Sequence, residues 1–330
     1  MPRPPEAVAL SVRDLSVLFP AGERVVRAVD RVAFHVRAGE SLGLVGESGC
    51  GKSATLRAVM GLIKFPGEVV SGAVELQGVD LLAMTPRERR RARGRSVSMV
   101  FQDPGASLNP VFSVGDQLVE VLRVNLGLGR REARARALEL LEQVGIPAAK
   151  DRLRSYPHQL SGGMRQRVMI AIAIACSPAV LLADEPTTGL DLTVQDQVLR
   201  LLVDLQAKLG MAMVLVSHDL GVIAGVCDTV AVMYAGRIVE YGPVGEVLEA
   251  PRHPYTRALL SAEPTVDAAA KSRLNAIGGQ PPDLTALPEG CSFAPRCKFR
   301  IDACGSASME LDRQWPDHGS ACIRADEASG

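Results

Sequence analysis

An α/β fold with a mixed or parallel central sheet is predicted by three features of the sequence. Short, almost continuously apolar segments recur along the chain, as is typical of strands that helices cover on both faces. A stretch of alternating polarity precedes the first of these segments, and a long stretch with helical apolar spacing lies between two later ones. The apolar segments are SLGLVG, SVSMVF, AVLLAD and MAMVLVSH.

The beginning of the chain predicts a small antiparallel lead-in sheet. Polar and apolar residues alternate in VALSVRDLSVLF and RVAFHVRAGE, which gives each predicted strand one polar face. The apolar segment SLGLVG then ends in glycine, and a helix is predicted from Lys52 to about Met60. This order of strand, loop and helix is typical of a nucleotide-binding unit.

The middle and the end of the chain define further regions. Residues 114–145 have the apolar spacing of helices, and TVAVMYAGRIVEYG predicts a hairpin that turns at Ala235-Gly236. After about residue 250, proline and glycine become frequent and the periodicity fades. We therefore expect a large domain over 1–250, with a helical subdomain at about 103–176, and a small cysteine-rich domain over 251–330.

Composition gives no reason to expect a nucleic-acid partner. Lys plus Arg and Asp plus Glu both total 37, so the charges balance. The basic run at 87–95 has no interleaved aromatic residues and is interpreted as a solvated helix face. No signal-like start and no apolar run long enough to span a bilayer are seen, so we expect a cytoplasmic chain that works on a membrane only through partner subunits.

The segment GESGCGKS predicts a loop that binds the phosphates of a nucleoside triphosphate. Its glycines allow backbone N–H groups to converge on phosphate oxygens at the start of a helix. Lys52 would reach the β and γ phosphates, and the Ser53 hydroxyl would coordinate Mg²⁺. The predicted ATP-binding residues are Gly46, Glu47, Ser48, Gly49, Cys50, Gly51, Lys52, Ser53 and Ala54.

A pair of acidic residues follows the apolar segment AVLLAD. Asp184 stands at the end of this predicted strand and Glu185 comes next. The first carboxylate can hold Mg²⁺, and the second can face an attacking water. With the phosphate loop upstream, the pair predicts hydrolysis of the bound nucleotide, with Glu185 as the catalytic carboxylate.

The segment LSGGMRQ at 160–166 resembles the signature peptide of ABC ATPases, and the resemblance extends over about residues 8–242. It implies the P-loop ABC ATPase fold, with ATP and Mg²⁺ as cofactors. The peptide would open a helix whose N–H groups bind the γ phosphate held by a second, facing subunit. The residues implied in this contact are Ser161, Gly162, Gly163 and Gln166.

Four further positions take roles from the same resemblance. Gln102 matches the residue that touches Mg²⁺ or the attacking water, and His218 matches the histidine that contacts the γ phosphate. Asp191, in the sequence GLD, matches the loop through which two subunits sense each other. Phe19 is expected as an aromatic platform for adenine. Together with Ser53 and Asp184, Gln102 is also expected to hold Mg²⁺.

Two other segments resemble the branch of the family that imports dipeptides, oligopeptides and nickel. They are FQDPGASLNP at 101–110 and HPYTRALL at 253–260. The resemblance implies a heterodimer with a related ATPase, two transmembrane permease subunits and, indirectly, an extracytoplasmic solute-binding protein. The chain would lie on the cytoplasmic face of the cell membrane. Which solute is imported would be decided by those partners.

Four cysteines near the end of the chain form a candidate metal site. By resemblance to the cysteine-rich tail of the same branch they would hold a [4Fe–4S] cluster, with zinc as the alternative and free buried thiols as the plain interpretation. They are Cys291, Cys297, Cys304 and Cys322. A separate hypothesis is that the helix terminus lowers the thiol pKa of Cys50 and makes the phosphate loop sensitive to oxidation.

Two other classes of protein compete with the transport interpretation. A soluble ABC ATPase of DNA repair or translation would carry a coiled-coil insertion or a second cassette, and neither is seen in this sequence. A catalytically inactive regulator would lack catalytic residues, whereas Glu185 and His218 are both in place. Import of nickel or another small solute remains the alternative within the transporter class.

Overall fold

The computed structural model describes residues 7–262, 277–311 and 318–328. The chain forms two compact units whose segments alternate along the sequence. The first unit contains the described residues of Met1–Leu10, Val36–Glu40 and Glu75–Val214. The second contains those of Ser11–His35, Ser41–Val74 and Leu215–Gly330.

The strands are numbered in chain order. They are β1 Val8–Ala21, β2 Arg24–Arg37, β3 Ser41–Val45, β4 Glu68–Leu76, β5 Val79–Asp80, β6 Val97–Val100, β7 Val180–Asp184, β8 Ala212–Ser217, β9 Thr229–Tyr234, β10 Arg237–Pro243 and β11 Gly319–Ser320.

The α-helices are numbered in the same way. They are α1 Lys52–Val59, α2 Pro86–Ala92, α3 Pro104–Ser107, α4 Val114–Leu126, α5 Arg130–Gln143, α6 Ala149–Arg152, α7 Gly162–Ile174, α8 Leu192–Leu209, α9 Leu220–Val226, α10 Val244–Glu249, α11 Pro254–Ala262 and α12 Ala325–Ala328.

The first unit combines a short parallel sheet with a layer of helices. Strands β6 and β7 pair in parallel, with Val97 opposite Val180, and both are fully buried, which explains their continuous apolar sequences. Helices α4, α5 and α7 pack on one another. Their shared core contains Leu118, Leu122 and Leu140, which are fully buried.

The second unit contains the strand that leads into the phosphate loop. Strand β3 pairs in parallel with β9, and Leu42 lies opposite Thr229. Strands β9 and β10 form the predicted antiparallel hairpin, and β11 near the carboxy terminus adds to β10 in antiparallel register. Most of the lead-in sheet, in the order β2, β1, β4, also lies here.

The structure confirms the α/β fold and the predicted positions of the main strands. The helical stretch 114–145 is divided into two helices, because Gly127 adopts a left-handed φ of 72° and ends α4. One expectation differs from the structure. A distinct small cysteine-rich domain is not seen, since the described residues after 250 pack within the second unit. The boundary at 250 stays a prediction of the sequence.

Within the described residues, no helix combines the length and the apolar character needed to cross a bilayer. Helix α2, which carries most of the basic run, has no buried residue, as expected of a solvated helix face. Its first turn is fixed by a capping box between Thr85 and Glu88.

Candidate functional site

The loop that follows β3 is shaped by close approaches of the backbone. Gly46 and Gly51 have φ values of 156° and 111°. A Cβ atom on Gly46 would lie 2.2 Å from the carbonyl oxygen of Met233, and one on Gly51 would lie 2.2 Å from that of Ala28. Side chains are therefore excluded at both positions, which explains the glycines of the predicted motif.

Lys52 is the cation of this loop. Its ammonium group is buried and donates to the carbonyl oxygens of Gly46 at 2.6 Å and Glu47 at 3.0 Å. Helix α1 begins at Lys52, so the backbone N–H groups of its first turn and its positive dipole end face the same loop. Glycine conformations, a helix start and a buried ammonium together make an anion-binding site.

Glu47 is fixed by two side chains from the carboxy-terminal part of the chain. Its backbone N–H donates to the hydroxyl oxygen of Tyr255 at 2.8 Å. Arg296 binds its carboxylate at both ends, with Nη1 2.7 Å from Oε2 and Nη2 3.0 Å from Oε1. These hydrogen bonds to Glu47 are the main reason that the pKa of Arg296 is raised. Sequence reasoning missed Tyr255 and Arg296.

Cys50 does not behave as the oxidation hypothesis requires. The side chain is buried, and this burial raises the pKa of the thiol above its ordinary value, although nearby Lys52 opposes the effect. A raised pKa means less thiolate at neutral pH, and thiolate is the reactive form. The structure therefore contradicts the lowered thiol pKa, and a small buried residue is the better description of Cys50.

Other loop residues and Phe19 are placed as follows. Ser48 and Gly49 are exposed, and Ser53 and Ala54 lie half-buried in the first turn of α1. Phe19 lies on β1 and is half-buried. Its ring lies against the backbone of Gly67, where a Cβ would come within 2.3 Å of the ring. The adenine role of Phe19 stays a prediction.

The two predicted carboxylates lie in the first unit, at the end of β7. Asp184 is buried, whereas Glu185 is half-buried and adopts a left-handed φ of 44°. Its Oε2 accepts hydrogen bonds from the Gln102 amide nitrogen at 3.0 Å and from the Thr188 hydroxyl at 2.9 Å. The structure thus brings Gln102 and Thr188 to Glu185, and sequence reasoning missed Thr188; the predicted contact of Gln102 with Mg²⁺ or the attacking water stays a prediction.

The predicted magnesium donors fit the ion by their chemistry. Mg²⁺ prefers hard oxygen ligands and completes its shell with phosphate and water. The first unit offers the Asp184 carboxylate and the carbonyl oxygen of Gln102, whose amide nitrogen faces Glu185. The second unit offers the Ser53 hydroxyl at the start of α1.

The signature peptide opens helix α7. The Ser161 hydroxyl accepts a hydrogen bond from the N–H of Met164 at 3.3 Å and caps the helix, so the N–H groups of the two glycines lie at its start. Gly163 lies where a Cβ would come within 2.7 Å of Val194 in α8. Gln166 is buried within the chain, and its contact with a nucleotide on another subunit stays a prediction.

Asp191 and His218 both lie on exposed surface. Asp191 caps α8, because its carboxylate accepts from the N–H of Val194 at 3.0 Å. His218 follows directly after β8 and is exposed. The local geometry is compatible with their predicted roles towards a facing subunit and a γ phosphate, which stay predictions.

The four tail cysteines do not form a metal site in the described part of the chain. All are free thiols. Burial, with small contributions from the neighbouring thiols, raises the pKa of Cys322 to about 11. Across residues 7–262, 277–311 and 318–328, however, no group of three or more Cys, His, Asp or Glu is arranged to hold a metal ion. The structure therefore does not support the expected [4Fe–4S] cluster or zinc.

Comparison with known proteins identifies the family. The chain matches the family model of ABC transporters over residues 29–188 and that of the oligopeptide/dipeptide transporter C-terminal region over residues 239–304. With the phosphate loop, the paired carboxylates and the capped signature helix, these matches show that the chain belongs to the ATP-binding subunits of the ABC transporter family.

Relatives with high similarity align over almost the whole chain. A probable peptide ABC transporter ATP-binding protein of Sinorhizobium fredii is 47% identical over 98% of this chain and 97% of its own length. The dipeptide transport ATP-binding protein DppD of Escherichia coli is 48% identical, with 95% of each chain covered. The oligopeptide transport ATP-binding protein OppD of Salmonella typhimurium is 46% identical over 97% of this chain and 95% of its own.

Solved structures support the same fold. The ATP-binding cassette MJ0796, in a dimeric post-hydrolysis state with ADP and Pi, has a TM-score of 0.64 and 26% identity, and covers 71% of this chain and 98% of its own. The ABC transporter component cbiO1 of Clostridium perfringens has a TM-score of 0.61 and 30% identity, and covers 73% of this chain and 91% of its own.

Proposed function

We propose that this chain hydrolyses ATP to power the import of dipeptides or oligopeptides through a membrane ABC transporter. The substrate class is supported by the names of the relatives, which are described as peptide, dipeptide and oligopeptide transport proteins. The match of residues 239–304 to the oligopeptide/dipeptide transporter C-terminal region supports the same class. No residue of this chain is proposed to select the peptide.

The observation that carries the ATPase proposal is the environment of Glu185. One of its carboxylate oxygens is held by Gln102 and Thr188, which fixes the direction in which the carboxylate faces. A carboxylate fixed in this way can orient a water and accept its proton during attack on the γ phosphate.

The other residues have separate roles in the proposed reaction. The phosphate loop and Lys52 bind the phosphates, and His218 contacts the γ phosphate. Asp184, Ser53 and Gln102 would hold Mg²⁺, which neutralises phosphate charge when bound. Ser161 and the glycines of the signature would bind the γ phosphate held by a facing subunit. The four tail cysteines take no part in this proposal.

The proposed partners follow from the signature residues, which would bind a nucleotide held by a second cassette. ATP bound between two cassettes would close the dimer, and hydrolysis would reopen it. We propose a related ATPase as the second cassette, two transmembrane permeases as the driven subunits and an extracytoplasmic binding protein that delivers peptide. The chain would sit on the cytoplasmic face of the membrane. Exposed apolar side chains in α4 and in the loop just before it, including Val111, Phe112 and Val124, are available for a permease contact.

The ATPase proposal is tested with Glu185→Gln in the assembled transporter. We expect steady ATP hydrolysis to fall by about 10³-fold while the Kd for MgATP stays within about twofold, because the amide cannot accept the proton. Asp196→Asn is the matched control, since Asp196 is an exposed carboxylate paired with Arg200. Hydrolysis by Glu185→Gln at a rate near wild type would refute the assignment of the catalytic carboxylate.

The dimer and the substrate class need their own measurements. With turnover blocked by Glu185→Gln, ATP should shift the two ATPase subunits into a tighter complex than ADP does, as measured by analytical ultracentrifugation. Cells that lack this chain should lose uptake of labelled dipeptide or oligopeptide, and wild type but not Glu185→Gln should restore it. Unchanged peptide uptake, with loss of nickel uptake instead, would move the proposal to the alternative substrate.

A further inference from the structure

The phosphate loop contains an acidic side chain where an anion must bind. Glu47 is the second residue of the loop, directly after Gly46, and its backbone carbonyl is one of the acceptors of Lys52. A carboxylate near bound phosphates weakens their binding, because like charges repel each other. The loop therefore needs a cation that offsets the charge of Glu47 and is separate from Lys52.

Arg296 supplies that cation from the far end of the chain. Its side chain is only 4% exposed and its guanidinium binds both carboxylate oxygens of Glu47. The remaining donors are used as well: Nε donates to the carbonyl oxygen of Gly278 at 2.9 Å, and Nη2 also reaches that of Ile277 at 3.3 Å. A guanidinium held by this many acceptors has one fixed position, so its charge stays on Glu47.

Tyr255 fixes the backbone of the same residue. The Tyr255 side chain is completely buried, and its ring packs on Tyr234 at 4.5 Å and on Phe293 at 5.4 Å between ring centroids. Its hydroxyl oxygen accepts the N–H of Glu47. This N–H therefore forms its hydrogen bond within the protein. A rigid aromatic cluster thus sets the orientation of the first peptide of the loop.

We propose that Arg296 and Tyr255 are positioning residues for ATP binding: Arg296 neutralises Glu47, and Tyr255 orients its backbone. The carboxy-terminal part of the chain thereby makes the phosphate loop competent for anions. This inference rests on the proposed function, since it assumes that the loop binds ATP. A purely structural link between the tail and the loop would use the same contacts, but its effect on the Kd for ATP would not depend on the charge of Glu47.

The test measures the Kd for MgATP by calorimetry on the full chain, with Glu185→Gln in every variant to prevent turnover. Arg296→Met should raise the Kd on the order of tenfold, because the charge of Glu47 is then uncompensated near the phosphates. Glu47→Gln combined with Arg296→Met should bring the Kd back to within about threefold of the parent, and Glu47→Gln by itself should lower it. Tyr255→Phe should raise the Kd about threefold, because the N–H of Glu47 loses its acceptor.

The matched control is Arg324→Met. Arg324 is another arginine of the tail in an ion pair, with Glu327, and it donates to the carbonyl oxygen of Phe299 rather than to the loop. This variant should bind MgATP like the parent. Should Arg296→Met fail to fold, Arg296→Lys keeps the charge without the two-pronged contact, and its Kd should stay within about threefold of the parent.

Three results would overturn the proposal. They are an unchanged Kd in Arg296→Met, a double variant that binds as weakly as Arg296→Met, and an Arg296→Lys variant that loses tenfold or more. The first result would show that Arg296 does not position the loop for ATP. The other two would show that it only stabilises the fold by linking the tail to the loop. Absence of MgATP binding in the parent would instead refute the proposed function, so the two failures are distinguishable.

Discussion

The two units differ in how they hold most of their functional side chains. In the first unit most contacts are local: Ser161 and Asp191 cap the helices that they precede, and Thr188 binds Glu185 three residues before it, although Gln102 reaches Glu185 from 83 residues away. In the second unit the loop is fixed by partners 208 and 249 residues away, Tyr255 and Arg296. The locally held Ser161, Asp191 and Thr188 are exposed, whereas the side chains of Tyr255 and Arg296 are buried.

This difference predicts how each unit tolerates change. Removing a helix cap at an exposed position costs about 1 kcal/mol in the free energy of unfolding, because the neighbouring residues can adjust. A loop that is packed against several distant segments has no space in which to adjust, so a single added atom forces strain into its surroundings. We therefore expect large effects in the second unit and small ones in the first.

The largest effect is expected for Gly51→Ala. The new Cβ would lie 2.2 Å from the carbonyl oxygen of Ala28, at a φ of 111°. We expect a loss of at least about 3 kcal/mol in the free energy of unfolding, together with loss of ATP binding. Gly49→Ala is the matched control, because its φ is 80° but nothing lies within 4 Å of its Cβ. Its cost should be about 1 kcal/mol, and equal costs would disprove the enclosed loop.

The second largest effect is a pH dependence of the free energy of unfolding, which comes from His253 just before α11. Burial lowers the pKa of His253 to about 4, against the opposing charge of Glu240. The unfolded imidazole titrates near 6.5, so it takes up the proton first as the pH falls, and the folded state loses stability between about pH 6.5 and 4. At pH 5 this loss should be about 2 kcal/mol.

His253→Asn isolates this contribution. The ring Nδ1 accepts the N–H of Tyr255 at 3.0 Å, and an asparagine oxygen can cap the helix in the same way without titrating. Urea unfolding at pH 7.5 and pH 5 should therefore show a smaller loss for the variant than for wild type. Parallel losses in both proteins would show that His253 does not titrate as its burial indicates.

A smaller effect is expected at the cap of α8 in the first unit. Asp191→Ala removes the acceptor of the Val194 N–H and should cost about 1 kcal/mol of stability, whereas Asp191→Asn keeps the cap. Thermal unfolding of the two variants measures the difference. If Asp191→Asn is stable but hydrolyses ATP more slowly, its carboxylate has the additional role between subunits that the sequence resemblance implies.

The smallest effect is expected for Thr188→Val. The variant removes one of the two hydrogen bonds that hold the Glu185 carboxylate, and Gln102 still holds it. We expect kcat for ATP to fall about threefold with little change in KM. Thr193→Val, an exposed threonine in α8, is the control. A wild-type kcat for Thr188→Val would show that Gln102 is sufficient to orient Glu185.

The comparison also explains which parts of the site could be predicted from sequence. The caps of the first unit act close to their own place in the chain, so a short motif such as LSGGMRQ predicts the helix start and its capping serine. The partnership of Arg296 with Glu47 could not be predicted, because a pair so far apart in sequence is chosen by the tertiary fold. The burial of Gln166 was missed for a related reason: the signature motif does not show which face of α7 is packed.

The tail shows the limit of spacing arguments. By resemblance, four cysteines predicted a ligand set, yet the described part of the chain contains no group of residues arranged to hold a metal ion. The expected separate domain also reflected composition rather than packing. Proline and glycine made the tail look independent, whereas Tyr255, Phe293 and Arg296 lie in the same compact unit as the phosphate loop.

One contact in the first unit has a mechanical consequence. Gly163 allows α7 to approach α8 so closely that an added methyl group would overlap Val194, and Leu190 lies next to Gly162. The start of the signature helix is thus packed directly on α8, so a side chain at position 163 would force the two helices apart.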